Sequence, residues 1–115
     1  MIEKVLADLN RVEGVHGSLV VSSDGLIIAE AVPPDIDSEI VGAIATTVYG
    51  SGERVVDEMN LGDLEQMLIE ATHGKVMIVD VGEDATLVLV VEPDANLGLI
   101  RLRAREAAEE IAKQL

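Results

Sequence analysis

The stretch Leu87-Val88-Leu89-Val90-Val91 decides the fold. It is apolar at every position, where a strand with one wet face would alternate, so both of its faces must be covered. The expectation is a sheet with helices on both sides and this strand near its middle. Working outward, Leu64 to Thr72, Lys75 to Val81 and Ala85 to Glu92 read as three strands. His73-Gly74 and Gly82-Glu83-Asp84 join them, short enough for hairpins and hence an antiparallel meander. Leu64-Glu65-Gln66-Met67-Leu68-Ile69-Glu70 mixes charge into its run, as an edge strand does, and an edge can receive another copy. Upstream, Gly17 to Val21 and Leu26 to Ala29 flank Ser22-Ser23-Asp24-Gly25, a hairpin signal because glycine tolerates positive φ.

Three helical patterns complete the chain. Ile2, Val5, Leu6, Leu9 and Val12 predict an amphipathic helix over 2–13, ended at Gly14. Pro33-Pro34 closes the second strand, and Asp35, Asp37 and Ser38 offer caps for a long helix running to about residue 59, with Asn60 and Gly62 marking its end. After Glu92-Pro93-Asp94, Asn96 caps a last helix whose stripe is Leu97, Ile100, Ala104, Ala107, Ala108, Ile111 and Leu115. The order is helix, two strands, helix, three strands, helix, expected as one α/β (α+β) domain over residues 1–115.

Composition narrows the function. Twenty-two acids against 8 bases give a formal charge of −14, which repels nucleic-acid phosphates and anionic lipid. Neither nucleic acid nor membrane insertion is expected; the uncharged run from Ile40 to Gly52 is too short and polar to span a bilayer. The start, Met1-Ile2-Glu3-Lys4, does not resemble a signal peptide, and the absence of cysteine suits a reducing, cytoplasmic setting.

Chemistry is sparse. Gly50-Ser51-Gly52-Glu53-Arg54-Val55 starts like a dinucleotide fingerprint but lies within a helix pattern and lacks the third glycine. There is no phosphate-binding loop, and His16 and His73 form no ligand pair. The reading is of a non-enzyme with no catalytic residues, no cofactor and no metal. Arg101, Arg103 and Arg105 are best read as solvated partners of Glu106, Glu109 and Glu110.

The long helix is the informative element. At about 100° per residue, Val41, Ile44, Ala45, Val48, Gly52, Val55 and Met59 share one side and are expected in the core. The opposite side carries Ala43, Thr46 and Gly50 between Glu39 and Asp57, with Ile40, Thr47 and Ser51 on one shoulder and Gly42 and Tyr49 on the other. About three turns of outer helix without charge imply a covered surface. Glycine in a helix costs roughly 0.5–1 kcal/mol relative to alanine, and close approach of another backbone would offset it. Arg54 stands at the end of this patch, where an arginine beside apolar area suits a binding hot spot.

Val15-His16-Gly17-Ser18-Leu19-Val20-Val21 followed by Asp24-Gly25-Leu26, the Gly/Ala/Thr-rich helix, and Asn96-Leu97-Gly98-Leu99-Ile100-Arg101 leading into an alanine-rich helix together resemble the roadblock domain family. That family includes dynein light chain roadblock and the bacterial MglB regulators. The resemblance covers essentially the whole chain. It implies a five-stranded antiparallel sheet with the long helix on one face and the terminal helices on the other, and homodimers joined through the third strand and the long helix. It implies Ras-like small GTPases as partners, and in MglB-type members stimulation of GTP hydrolysis without an arginine finger. Carried over to this chain, the dimer surface falls on Ala43, Thr46, Thr47, Gly50, Ser51, Met67 and Ile69; Ile40 and Arg54 extend it to the helix shoulders. The chain is expected to be the domain alone, without the extensions of the fuller MglB pattern. Two readings stay open: a homodimeric regulator or adaptor of a small GTPase, and a scaffold subunit of the dynein light chain type. A small-molecule sensor is least favoured, since aromatics and convergent polar groups are lacking.

Overall fold

Eight elements follow one another in the computed structural model, which describes residues 1–115: α1 (Ile2–Leu9), β1 (Val15–Ser22), β2 (Ile27–Ala31), α2 (Ser38–Glu58), β3 (Gln66–Ala71), β4 (Gly74–Val81), β5 (Ala85–Val91) and α3 (Leu97–Ala112). The strands form one antiparallel sheet in the order β2-β1-β5-β4-β3. The uninterrupted apolar strand β5 is central, as its sequence requires, and the charge-bearing β3 is an edge. Both cores explain why β5 does not alternate. Leu87, Leu89 and Val91 enter the larger cluster with Leu6, Leu9, Ile100, Ala104 and Ile111 from α1 and α3. Val88 enters the smaller one with Leu19, Val21, Ile78, and Ala45 and Tyr49 of α2.

The long helix is capped as its sequence predicts. Asp37 accepts from the Ile40 N–H at 3.2 Å, and Asn96 does the same for α3 from the Leu99 N–H at 3.1 Å. At the far end of α2, Asn60 takes φ 57°, its N–H bonds the Asp57 carbonyl and the Leu61 N–H bonds the Val56 carbonyl at 3.0 Å. This paired closure is a Schellman motif and turns the chain toward β3.

Two expectations are corrected. The first helix ends at Leu9, not at residue 13 before Gly14, because Asn10 is drawn into tertiary bonding: its amide donates to the Ala31 carbonyl at 2.8 Å and accepts from the buried Ser18 hydroxyl at 2.7 Å. Val12 still packs on the larger core from the turn that follows. The second correction concerns α2, whose buried side is Ser38, Gly42, Ala45 and Tyr49, with Val41, Val48, Gly52 and Val56 half-buried. The expected core stripe is rotated by about 70° around the helix axis. Gly42 and Tyr49, read as outward, lie in the core, while Ile44, Val55 and Met59, read as core, face out.

The reason lies in what the sheet asks of the helix. A side chain at Gly42 would meet Ile27 Cδ1 at 2.9 Å, and one at Gly52 would meet the end of Met67. These glycines let α2 approach its own sheet closely, at β1–β2 with one end and at β3 with the other. Tyr49 can be buried because its hydroxyl donates to the Leu64 carbonyl at 2.9 Å.

Candidate partner interface

The rotation of α2 leaves large apolar side chains in solvent. Ile40 and Ile44 are each 58% exposed, Val55 57%, Met59 63% and Leu61, just beyond the helix, 67%. Ile40, Ile44, Thr47, Ser51 and Val55 follow helical spacing and form one continuous outer line. Thr46 and Thr47 turn their hydroxyls back onto the carbonyls of Gly42 and Ala43, at 3.0 and 3.1 Å. Thr47, on this face, thus spends its hydroxyl proton on its own helix. Burying such a surface against a partner would release about 25 cal/mol per Å² of apolar area.

Each residue expected at the interface has a definite place. Ile40, Ala43, Thr47, Ser51 and Arg54 are exposed on α2; Thr46 and Gly50 are half-buried on its shoulder. A side chain at Gly50 would meet nothing within 4 Å, so of the three helix glycines only this one faces open space. Arg54 forms no ion pair, whereas Arg103 pairs with Glu106 at 2.7 Å and Arg105 reaches Glu65 at 3.3 Å. Only the first of these pairings follows the expected α3 pattern. On β3, Ile69 is 40% exposed and stands beside the unpaired edge, while Met67 packs inward between the sheet and Gly52. Met67 thus supports α2 from within, and Ile69 is exposed at the sheet edge.

Sequence reasoning missed Ile44, Val55, Met59 and Leu61. The sequence offers two apolar lines on α2, and from Ile40 to Gly52 no charge tells the line that fits against the sheet from the one that faces out.

The surroundings are acidic. Glu53, Asp57, Asp63, Asp80 and Glu83 surround an open hollow of about 420 Å³ between the end of α2 and the β4–β5 turn. Partial burial, with Glu53 and Asp63 nearby, pushes the Asp80 carboxyl above the usual carboxylate range. Burial, aided by Asp80, Glu53 and Glu65, pushes the Tyr49 phenol well above its ordinary value, so it remains a neutral donor. No three or more His, Cys, Asp or Glu side chains are grouped to hold a metal ion. His16 pairs with Glu92 at 3.0 Å and His73 lies in the exposed β3–β4 turn. No helix is long and apolar enough to cross a membrane.

The same architecture is found elsewhere. The Roadblock/LC7 domain of Streptomyces avermitilis superposes with a TM-score of 0.91 at 16% identity, covering 97% of this chain and 95% of that one. Myxococcus xanthus MglB gives 0.91 at 20% identity, covering 97% and 92%. In sequence, the uncharacterized protein MJ1340 of Methanocaldococcus jannaschii is 48% identical over 111 residues, 96% of each chain. The family model of the Roadblock/LC7 domain matches residues 1–91, from α1 through β5. The chain therefore belongs to the Roadblock/LC7 domain family.

Proposed function

We propose that this chain is a homodimeric, non-catalytic regulator or adaptor of a Ras-like small GTPase. The observation that carries the reading is the outer line of α2, whose Ile40, Ile44, Val55 and Met59 are exposed in a chain of charge −14 that also has an open edge at β3. A second copy adds at the β3 edge and against the outer α2 line, and the paired helices form the platform for the GTPase. The family resemblance supports both steps. Any stimulation of hydrolysis would follow the MglB manner, acting on the GTPase's own active site, in the cytoplasm. Arg54 would serve as a contact at the end of the platform, not as a catalytic group.

The test is a titration of the purified dimer against small GTPases from the same genome, loaded with GDP or with a non-hydrolysable GTP analogue, alongside single-turnover hydrolysis. Preference for one nucleotide state is the expected result. Binding in neither state overturns the proposal, and binding indifferent to nucleotide replaces it with the scaffold role of the dynein light chain type.

A further inference from the structure

Two rows of side chains cross the face of the sheet on which α2 lies. In the first, Met67, Ile78, Val88 and Leu19 stand side by side on β3, β4, β5 and β1. Ala45 and Tyr49 of α2 pack on this row, and Ile78, Val88 and Leu19 are each 1% exposed. In the second, two residues along each strand, Ile69, Val76, Val90 and Gly17 are aligned in the same way. Here Val76 and Val90 are only half-buried and Ile69 is 40% exposed, so an apolar row lacks its cover. At β1 the row is closed, since a side chain at Gly17 would meet Pro33 Cδ at 3.0 Å. At β3 it is open.

The helix overshoots that same edge. Gly42 sits against Ile27 and Val21, on β2 and β1, and Gly52 against Met67 of β3. The rise of α2 between the two glycines is about 15 Å. From β1 to β3 there are three strand spacings, or roughly 14 Å, so α2 crosses the strands nearly at right angles. Its remaining turns, to Glu58, carry it about 9 Å beyond Gly52, which is roughly two further strand spacings. The chain then returns, and a Cβ at Gly52 would lie 3.1 Å from Leu64 Cδ2. From Glu53 to Asp63 every residue is exposed except Val56, which is half-buried. Met59, two turns beyond Gly52, stands within about 20° of it around the axis. It is directed to the level of the sheet where the sheet has ended, and is 63% exposed. Glu53 and Asp57 occupy the other flank and line the acidic hollow.

Two-fold symmetry brings the bare row and the overhanging helix end together. The edge strand spans Gln66–Ala71, and antiparallel pairing with its own copy about Leu68, near its middle, sets Met67 of one protomer opposite Ile69 of the other. The covered row of each protomer then runs on into the bare row of its partner. Because α2 lies along the covered row, its end points over the partner's bare one. Two strand spacings beyond β3 are the partner's own β3 and β4, the strands that carry Ile69 and Val76. We propose that the last turns of α2, with Met59 directed at the sheet and Val55 beside it, cover the row of Ile69, Val76 and Val90 in a second copy, so that each protomer completes the smaller core of the other. This rests on the reading above, in which a second copy adds at β3. It goes further in making the helix end of one protomer and the sheet face of the other a single apolar contact, repeated twice about the axis.

The chain has no cysteine, so introduced thiols report on their own positions alone. A variant carrying Met59→Cys and Val76→Cys is treated with a short bismaleimide and run on a denaturing gel. Beside it run each single variant and a control carrying Met59→Cys and Leu102→Cys, whose second thiol lies on α3 across the sheet. Sedimentation of the wild type gives its association state, and thermal melts confirm that each variant is folded; Val90→Cys, in the same row, replaces Val76→Cys if that melt is lost. The expected result is conversion of most of the double variant to a species of twice the chain mass, with the single variants and the control left at single mass. A wild-type dimer whose double variant stays at single mass overturns the inference and leaves the dimer reading standing. Equal linking in the control, or linking by either single variant, also overturns it. A wild type that sediments as a monomer brings down both.

Discussion

Tyr49 joins α2 to the segment entering β3 through one hydrogen bond at full burial, and that arrangement gives a graded expectation. Tyr49→Phe keeps the ring but leaves the Leu64 carbonyl without its donor, and should cost about 1 kcal/mol in urea unfolding. Tyr49→Ala opens a cavity under the helix and should cost about 3–5 kcal/mol in the same assay. The glycines of the same helix separate by sign. Gly50→Ala meets nothing and should stabilise by about 0.5–1 kcal/mol through helix propensity. Gly42→Ala presses on Ile27 and Val21 and should destabilise by about 1–3 kcal/mol through overpacking. Equal effects at the two positions would mean that α2 does not approach the sheet as described.

At the scale of elements, β3 and α2 act together, because Met67 from the strand fills the space that Gly52 leaves on the helix. Val55→Glu places a carboxylate on the outer line without disturbing either core, so it should shift the protein from dimer toward monomer with the fold retained and a melt lowered only by the lost association. Sedimentation velocity over a concentration series reads this, and an unaltered dimer removes this line from the interface. Most elements were legible in the sequence where a local physical reason stands behind them. The run at 87–91 announces a doubly covered strand, Asp24-Gly25 a hairpin, and Asp37 and Asn96 their helix starts. The rotation of α2 was not legible, because from Ile40 to Gly52 no charged residue contrasts with the apolar ones. Its true core line uses Gly42, Ala45 and Tyr49, whose fitness depends on the distance to the sheet and on an acceptor 15 residues away. The exposed line uses Ile44, Val55 and Met59, which any hydrophobicity argument assigns to the interior. Apolar residues left in solvent and apolar residues of the core read alike in a sequence.

Over the whole molecule, the charge of −14 is unevenly spread, with bases concentrated on α3 and acids gathered where α2, the loop before β3 and the β4–β5 turn meet. Asp80 reports the consequence. Its carboxyl holds a proton more readily in the folded state than in the unfolded chain, so folding takes up protons in the interval above the ordinary carboxylate value. Stability from this group therefore falls as pH rises through that interval, and the ionised form is a penalty at neutral pH. Asp80→Asn should be more stable than wild type at pH 7, with the difference shrinking as pH falls toward the ordinary carboxylate value; melts across that range check it. A different property follows from Tyr49 being the only aromatic residue in the chain. With no tryptophan, the protein is nearly dark to excitation of indole, so the tryptophan fluorescence of any bound partner is read against an empty background. The one ultraviolet chromophore it does possess lies under α2 with its phenol hydrogen-bonded to the chain entering β3. Its absorbance and fluorescence therefore report, without any label, whether α2 is seated on the sheet.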